Sequence, residues 1–385
     1  MLSLASLAAL LAGAGTLVTV AGWRAVLALP EAPPLDDADC PGITVLRPLY
    51  RDEPLLAEAL LSACRQDYPR FQVVFGVQDP ADPALAVVAR VRAEMPGCDI
   101  ALVLDNTADG ANRKVANLVN MLPSAKYDVL VIADSDMHAD PGYLRAIAAE
   151  LAVPGTGLVT TLYTGLAANT SLPAALAASA ITHLFLPGAA LARRLGRQDC
   201  LGATMALRQQ TLAEIGGLRA LLDELADDNI LGRLVMARGH RVGLAATIPA
   251  TTVPEMTLRA MLRHELRWAR TIRSLGPGAF TLSALQYPLA WAALALALSG
   301  GAGWALAVML AAWAVRAAAA QGSDWELARR KRLPQSNAHP FLLPLRDIIS
   351  IGVWLAAYTG NRVEWRGRVM RARSGYDRSR NAAAT

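Results

Sequence analysis

The sequence predicts an α/β protein, a mostly parallel β-sheet flanked by helices, with transmembrane helices at both ends of the chain. Three observations predict it. No charged residue occurs from Leu2 to Trp23 or between Arg273 and Arg316. From residue 42 onward, short β-branched runs alternate with helix-like stretches. Hydrophobic residues make up 54% of the 385-residue chain and the mean hydropathy is +0.31, both high for a protein that lives in water.

In chain order, Leu2–Trp23 is long enough to cross a hydrocarbon core of about 30 Å at about 1.5 Å per residue. A signal peptide is the competing reading, but no Lys or Arg precedes the apolar run and Arg24 follows it. The positive-inside rule then puts the N-terminus outside and the chain after Arg24 in the cytoplasm. The expected division is a transmembrane helix over 1–29, a Pro- and Asp-rich linker over 30–41, a cytoplasmic α/β domain over 42–275, membrane or interfacial helices over 276–360, and a basic cytoplasmic tail over 361–385. Within the α/β domain, Ile43–Leu46, Phe71–Val77, Ile100–Leu104 and Val129–Ile132 read as buried strands, with helices over Glu53–Arg65, Pro83–Met95 and Ala111–Leu122 between them. Such sheets bind ligands beyond the carboxyl ends of their strands.

Near the C-terminus, Gly300, Gly301 and Gly303 split the uncharged run into helices near Ala279–Ser299 and Gly303–Ala320. The basic run Arg329-Arg330-Lys331-Arg332 follows. Pro340–Gly360, interrupted by Arg346 and Asp347, reads as a re-entrant or interfacial stretch, with a further crossing as the alternative. Ile181–Leu195, with its late Arg193-Arg194, reads as an interfacial helix that guides a lipid. The net charge of +5 suits either nucleic acid or an anionic membrane. The positive charges crowd beside apolar segments, which favours the bilayer as partner and disfavours nucleic acid. Cys40, Cys64, Cys98 and Cys200 lack CxxC spacing and read as free thiols.

Chemistry concentrates in three places. Val129–Ala133 ends abruptly in Asp134-Ser135-Asp136, and where the backbone turns at a strand's end both carboxylates can face one hard cation, Mg²⁺ or Mn²⁺. A strand closed by a solvated Asx turn is the plain alternative. Asp227-Asp228 precedes a helix-like stretch, where acids commonly cap the helix and offset its dipole. His264-Glu265-Leu266-Arg267-Trp268 lies among Arg259, Arg263, Arg270 and Arg273, a pattern that also suits a juxtamembrane helix binding lipid headgroups. It is no HExxH zinc site, since position 268 is Trp.

Together with Gln78-Asp79-Pro80, these residues resemble the D, D, D, (Q/R)xxRW signature of family 2 glycosyltransferases. The closer resemblance is to the ceramide glucosyltransferase group and to its relative in hopanoid biosynthesis, which adds N-acetylglucosamine to bacteriohopanetetrol. It extends over almost the whole chain, through Arg47-Pro48-Leu49, Gln66-Asp67-Tyr68-Pro69, Asp82-Pro83-Ala84, Lys114 with Asn117-Leu118, Lys126-Tyr127-Asp128, Gly216-Gly217-Leu218, Asp227-Asp228 and Arg267-Trp268. The resemblance implies a GT-A catalytic domain, a UDP-sugar donor, a divalent metal and a membrane-lipid acceptor. It places Asp79 by the nucleotide base and ribose, and Asp134 and Asp136 on the metal-diphosphate. Asp228 becomes the catalytic base, and Arg267 and Trp268 close over the diphosphate and acceptor. Lys114 would add positive charge near the phosphates, with a solvated helix lysine as the alternative. Asp227 would cap its helix or hold Arg267. His264 stands where the family has Gln or Arg, and Asp227 where it often has Glu. The apolar run Gly202–Leu207 reads as a strand under the acceptor pocket or as plain core. The expected reaction is direct displacement with inversion, moving N-acetylglucosamine onto a lipid such as bacteriohopanetetrol. Glucose transfer to ceramide is the alternative. A silent membrane scaffold or a transporter is the reading from another class, and it is disfavoured because the acids lie outside the apolar segments.

Overall fold

Every residue of strand β1 (Ile43–Pro48) is buried, and so is every residue of β4 (Val129–Ala133). Strands that are apolar on both faces must be covered on both. On one face, Ile43, Val45, Val129 and Val131 join Val73 and Phe75 in a core with residues of the helices Leu56–Cys64, Ala84–Glu94 and Tyr143–Leu151. On the other, Leu46, Val74, Leu130 and Ile132 pack with residues of the helices Arg113–Met121 and Asp227–Ala237.

The computed structural model describes residues 3–330, 337–365 and 368–371. Its chain forms two compact units. The α/β unit comprises Pro30–Ala168 and Arg197–Pro254, and the helical unit contains Met1–Leu29, Asn169–Gly196 and Glu255–Arg373. Residues 169–196 and 255–275, which the sequence division assigned to the α/β domain, thus group with the apolar helices.

In the α/β unit, β2 (Phe71–Val77), β3 (Ile100–Leu104), β5 (Met137–His138), β6 (Thr156–Thr160), β7 (Thr164–Ala167), β8 (Thr204–Arg208), β9 (Arg241–Leu244) and β10 (Ala250–Val253) complete two sheets. The larger runs β3-β2-β1-β4-β8-β6-β9 and the smaller β5-β10-β7. β3, β2, β1 and β4 are parallel neighbours, β8 is antiparallel to both of its neighbours, and β6 and β9 are parallel. Ile43–Leu46 lies in register with Val129–Ile132, so β1 and β4 finish side by side. The expected strands all form, but β3, at the edge of the sheet, is half-buried to exposed rather than buried, because only one side of it has a neighbouring strand. The first expected helix begins at Leu56 rather than Glu53, because Leu55 takes a left-handed backbone conformation (φ 61°) that no α-helix can contain.

Among the described residues of the helical unit, four runs are long and apolar enough to cross a membrane: Leu4–Leu27, Leu172–Arg194, Gly303–Arg330 and Pro340–Thr359. The second begins at Leu172, N-terminal to the expected helix over Ile181–Leu195. The expected helix near Ala279–Ser299 is also corrected: Pro277–Gln286 and Pro288–Leu298 meet at a 67° bend. Proline disfavours the helical conformation in the residue before it, and Tyr287 accordingly sits at φ −112°, ψ 61°. Arg346 and Asp347 interrupt the last apolar run without being solvated. Arg346 is 1% exposed and makes two 2.7 Å bonds to the carboxylate of Glu265, and Asp347 lies 3.6 Å from Arg316 Nε. Lys331, Arg332 and the tail from residue 372 onward lie outside the described residues.

Removing one partner of a buried ion pair leaves the other uncompensated, at a cost of about 3–5 kcal/mol. Arg346→Met is expected to destabilise the purified protein by that order in denaturant titration, and adding Glu265→Leu to recover most of the loss. A double variant no more stable than Arg346→Met would refute the pairing.

Candidate active site

The acidic turn is fixed from the strand beside it. Arg47, at the end of β1 and 1% exposed, donates from Nη1 to the carbonyls of Asp134 and Met137, each at 2.9 Å. β10 holds the other side: Thr251 Oγ1 donates to Asp136 Oδ2 at 2.5 Å and the Thr252 amide to the Asp136 carbonyl at 3.0 Å. Ser135 Oγ, between the two acids, donates to Glu53 Oε2 at 2.8 Å. Both carboxylates are therefore attached to a turn whose backbone has little freedom. Burial, with Asp134 and Glu53 nearby, pushes the Asp136 carboxyl up to about 7.

Lys114 belongs to this cluster, so the solvated alternative falls. It is 8% exposed, with Nζ 2.6 Å from Asp134 Oδ1 and 3.7 Å from Asp227 Oδ2. Burial works against its charge, but Asp134 and Asp227 outweigh burial and raise the ammonium above its ordinary range. Asn112 sets its position. The Asn112 side chain caps the helix Arg113–Met121 by accepting from the amides of Lys114 and Val115, while its Nδ2 donates to the Glu224 carbonyl at 2.8 Å and to Asp227 Oδ1 at 3.4 Å. One residue thus ties the helix bearing the lysine to the segment bearing the second acidic pair.

Asp227 and Asp228 open the helix Asp227–Ala237, but neither is its cap. The cap position is Ala226, without a side-chain bond, which overturns the capping role expected of Asp227. Asp227 is instead 8% exposed and turned toward Asn112 and Lys114. Asp228 accepts from the Asn229 amide at 2.7 Å and faces Gly202, where a Cβ would fall 2.9 Å from Asp228 Oδ2. Glycine at 202 is what leaves room for the carboxylate. Burial and the neighbouring Asp227 push Asp228 up to about 6, against the Asn229 amide and Lys114. Gly202 itself leads into β8, which is central in the sheet and buried through Leu207.

Asp79 follows β2, is exposed, and accepts from the Ala81 amide at 2.9 Å in an Asx turn. In the helical unit, the helix Leu258–Leu275 carries His264, Arg267 and Trp268. His264 Nδ1 pairs with Glu255, and its ring lies 4.5 Å from that of Trp268 in an edge-on contact. Burial would raise Glu255, but His264 and Arg267 hold it below its ordinary value. The structure thus gathers Lys114, Asp134, Asp136, Asp227, Asp228 and Gly202 in the α/β unit, and His264, Arg267 and Trp268 in the helical one. Sequence reasoning assigned no role to Arg47, Asn112, Glu53, Thr251 or Glu255. Arg47 was the findable one, as a lone charge in an otherwise apolar strand is rarely idle.

A mostly parallel sheet ending in paired carboxylates over a buried lysine, on a chain with apolar helices long enough to cross a membrane, defines a GT-A-type α/β protein. The profile of glycosyl transferase family 21 matches residues 3–377, and the chain belongs to that family. It is similar to a ceramide glucosyltransferase of Candida albicans, 34% identical over 116 residues that cover 27% of this chain and 21% of that protein. It is also similar to ceramide glucosyltransferase 3 of Caenorhabditis elegans, 22% identical over 65% of this chain and 55% of that one. The chain thus spans between a fifth and about half the length of these relatives. Among solved structures, a mannosyltransferase from Pyrobaculum calidifontis in complex with GDP-Man and Mn²⁺ shares the fold, with a TM-score of 0.51 and 21% identity over 93% of this chain and 98% of that one.

Arg47→Met removes the donor to buried carbonyls, at about 1–3 kcal/mol for each group left unsatisfied. A loss of several kcal/mol in denaturant titration, lessened in Arg47→Lys, is expected, and an unchanged midpoint would show that the turn does not depend on Arg47. Folding raises Asp228 from 3.8 to about 6, so between those values the folded chain keeps a proton that the unfolded chain has lost. This group's contribution is therefore most favourable below about 4 and worsens as pH rises through 6. Asp228→Asn is expected to be more stable than the parent at pH 8, by roughly 1–3 kcal/mol, and to lose that advantage by pH 4. An advantage that grows toward low pH would overturn the assignment.

Proposed function

We propose that the chain transfers a hexose from a UDP-sugar, with inversion, to a hydroxyl of a membrane lipid, and that glucose transfer to a ceramide-type lipid is the leading reading. The observation that carries it is Asp228, a carboxylate titrating near 6 and given room by Gly202, in one cluster with Lys114 and Asp134. The relatives named as ceramide glucosyltransferases support this acceptor class. They favour it over N-acetylglucosamine transfer to bacteriohopanetetrol, the first choice of the sequence reading.

In this reading the lipid hydroxyl attacks the anomeric carbon as the bond to the UDP oxygen breaks. Asp228 takes the hydroxyl proton, and UDP leaves carrying the electron pair. The proton acceptor has to lie on the face opposite the leaving group. Lys114 meets negative charge on the departing diphosphate, and Asp79 contacts the nucleoside. Arg267 and Trp268 keep the diphosphate and acceptor roles that the resemblance implies.

A divalent cation, Mg²⁺ or Mn²⁺, would be held by Asp134 and Asp136 and would supply positive charge to the diphosphate. The residues fit such an ion. Asp136 keeps its proton up to about 7, so the acidic turn is short of positive charge. Two protein carboxylates would leave the rest of the ion's shell to substrate phosphates and water. The apolar helices support a membrane location, and the positive-inside rule supports a catalytic part on the cytoplasmic side.

The test is incubation of the purified full chain with UDP-glucose and UDP-N-acetylglucosamine, each with ceramide and with bacteriohopanetetrol, and identification of products by mass spectrometry. Glucosylceramide is expected. N-acetylglucosaminyl product alone would overturn the leading reading. Asp228→Asn is expected to slow single-turnover transfer by about 10²–10⁴-fold while UDP-sugar binding persists, whereas normal turnover would remove Asp228 as the base.

A further inference from the structure

The helical unit contains a half-open cavity of about 150 Å³. Its walls come from three places: the last third of the helix Leu4–Leu27, the run Leu172–Arg194, and the middle of the helix Gly303–Arg330. Close approach of small residues builds it. A Cβ at Gly322 would fall 2.6 Å from Trp23 Nε1, and one at Gly188 would fall 2.9 Å from Gln286 Oε1. Val18, Leu191 and Ala320 give much of the lining an apolar character.

Arg316 lines this cavity and is 2% exposed, yet its Nε and Nη2 have no hydrogen-bond partner, and neither has Trp23 Nε1 beside it. Asp347 Oδ1 lies 3.6 Å from Arg316 Nε, which offsets charge without satisfying the N–H. The other Asp347 oxygen is already engaged by the Leu289 amide. His183, the second ionisable group in the lining, is closed off between Ser179 at 3.0 Å and Asp324 at 2.8 Å. The unsatisfied groups beside the cavity are thus three donors, on Arg316 and Trp23, against one acceptor, Asp347 Oδ1. Each unpaired one costs about 1–3 kcal/mol when buried, and donors outnumber the acceptor, so a ligand rich in acceptor oxygens relieves most of that cost.

We propose that this cavity takes the phosphodiester of a membrane phospholipid, whose oxygens accept from Arg316 and Trp23 and whose acyl chains run along the apolar wall. A guanidinium matches phosphate oxygens with its planar fork. A neutral hydroxylated lipid offers acceptor oxygens too, but none that carries the charge a guanidinium matches best. The volume equals roughly five water molecules at about 30 Å³ each. That suffices for a phosphate and its first neighbours, while the chains lie outside. The inference rests on the apolar helices and holds whichever sugar the protein moves.

The test uses the purified, delipidated full chain, titrated with phosphatidylglycerol, with diacylglycerol of the same chains, with ceramide and with inorganic phosphate, and read by native mass spectrometry. Phosphatidylglycerol is expected to bind at least about tenfold more tightly than the other three, the worth of one charge-assisted hydrogen bond. Arg316→Gln combined with Asp347→Asn keeps the local charge balanced and is expected to remove that preference. Ala192→Leu, which fills the cavity without touching the ion pair, is expected to weaken phosphatidylglycerol binding about tenfold at unchanged helix content. Equal binding of diacylglycerol or ceramide, equally tight binding of free phosphate, or full phosphatidylglycerol binding by Ala192→Leu would each overturn the proposal.

Discussion

The α/β unit depends on one buried guanidinium. β1 and β4 end together because Ile43–Leu46 pairs in register with Val129–Ile132. A parallel pair that stops at the same level leaves carbonyls at its rim with no strand N–H to donate to them. Arg47 fills that need for Asp134 and Met137, and in doing so it fixes the turn that carries both acids. A neutral side chain would leave the carbonyls bare, and a lysine lacks the planar fork that reaches several acceptors from one rigid group. The cost of burying the charge is offset in part by the nearby carboxylates of Asp136 and Asp134.

A similar economy governs the second acidic pair. Asn112 spends its carbonyl oxygen on capping and its amide on Glu224 and Asp227, so the lysine helix and the Asp227 helix are held by a single side chain. The two acids then divide. Asp227 turns toward the buried lysine, and Asp228 turns toward Gly202. Neighbours on a helix project about 100° apart, so one backbone position separates a charge-balancing carboxylate from one with free space in front of it.

Much of this was legible in the sequence, and what was not has physical reasons. Buried strands announce themselves by unbroken β-branched runs, which is why all four expected strands form where they were placed. The Asp134 and Asp228 motifs were readable because carboxylates at the ends of apolar runs stand out. Lys114 gave no such signal: an amphipathic helix tolerates a lysine anywhere on its polar face, and only tertiary packing brings this one within 2.6 Å of Asp134. The capping role misassigned to Asp227 shows the reverse error, where a local preference yields to a buried charge nearby. The bend at Tyr287 was written in Pro288, whereas the length of Leu172–Arg194 was masked by the proline and glycine residues within it.

The charge balance of the site has a consequence for its reactivity. Asp134, Asp227 and Asp228 act on Lys114, and Asp136 and Asp134 on Arg47, so the cluster carries more negative than positive groups. Burial first, and this surplus of negative charge second, hold Asp136 and Asp228 above the ordinary carboxylate range. Asp134 is among the charges that raise Asp228, so any positive charge delivered to Asp134 lowers the pKa of Asp228. A group titrating near 6 is already mostly ionised at neutral pH, and such a shift would complete its ionisation. Positive charge arriving to balance a bound diphosphate would therefore prepare the carboxylate beside Gly202 to accept a proton. The acids at 134 and 136 would then do two things at once: hold the charge that the leaving group needs and set the protonation state of the base.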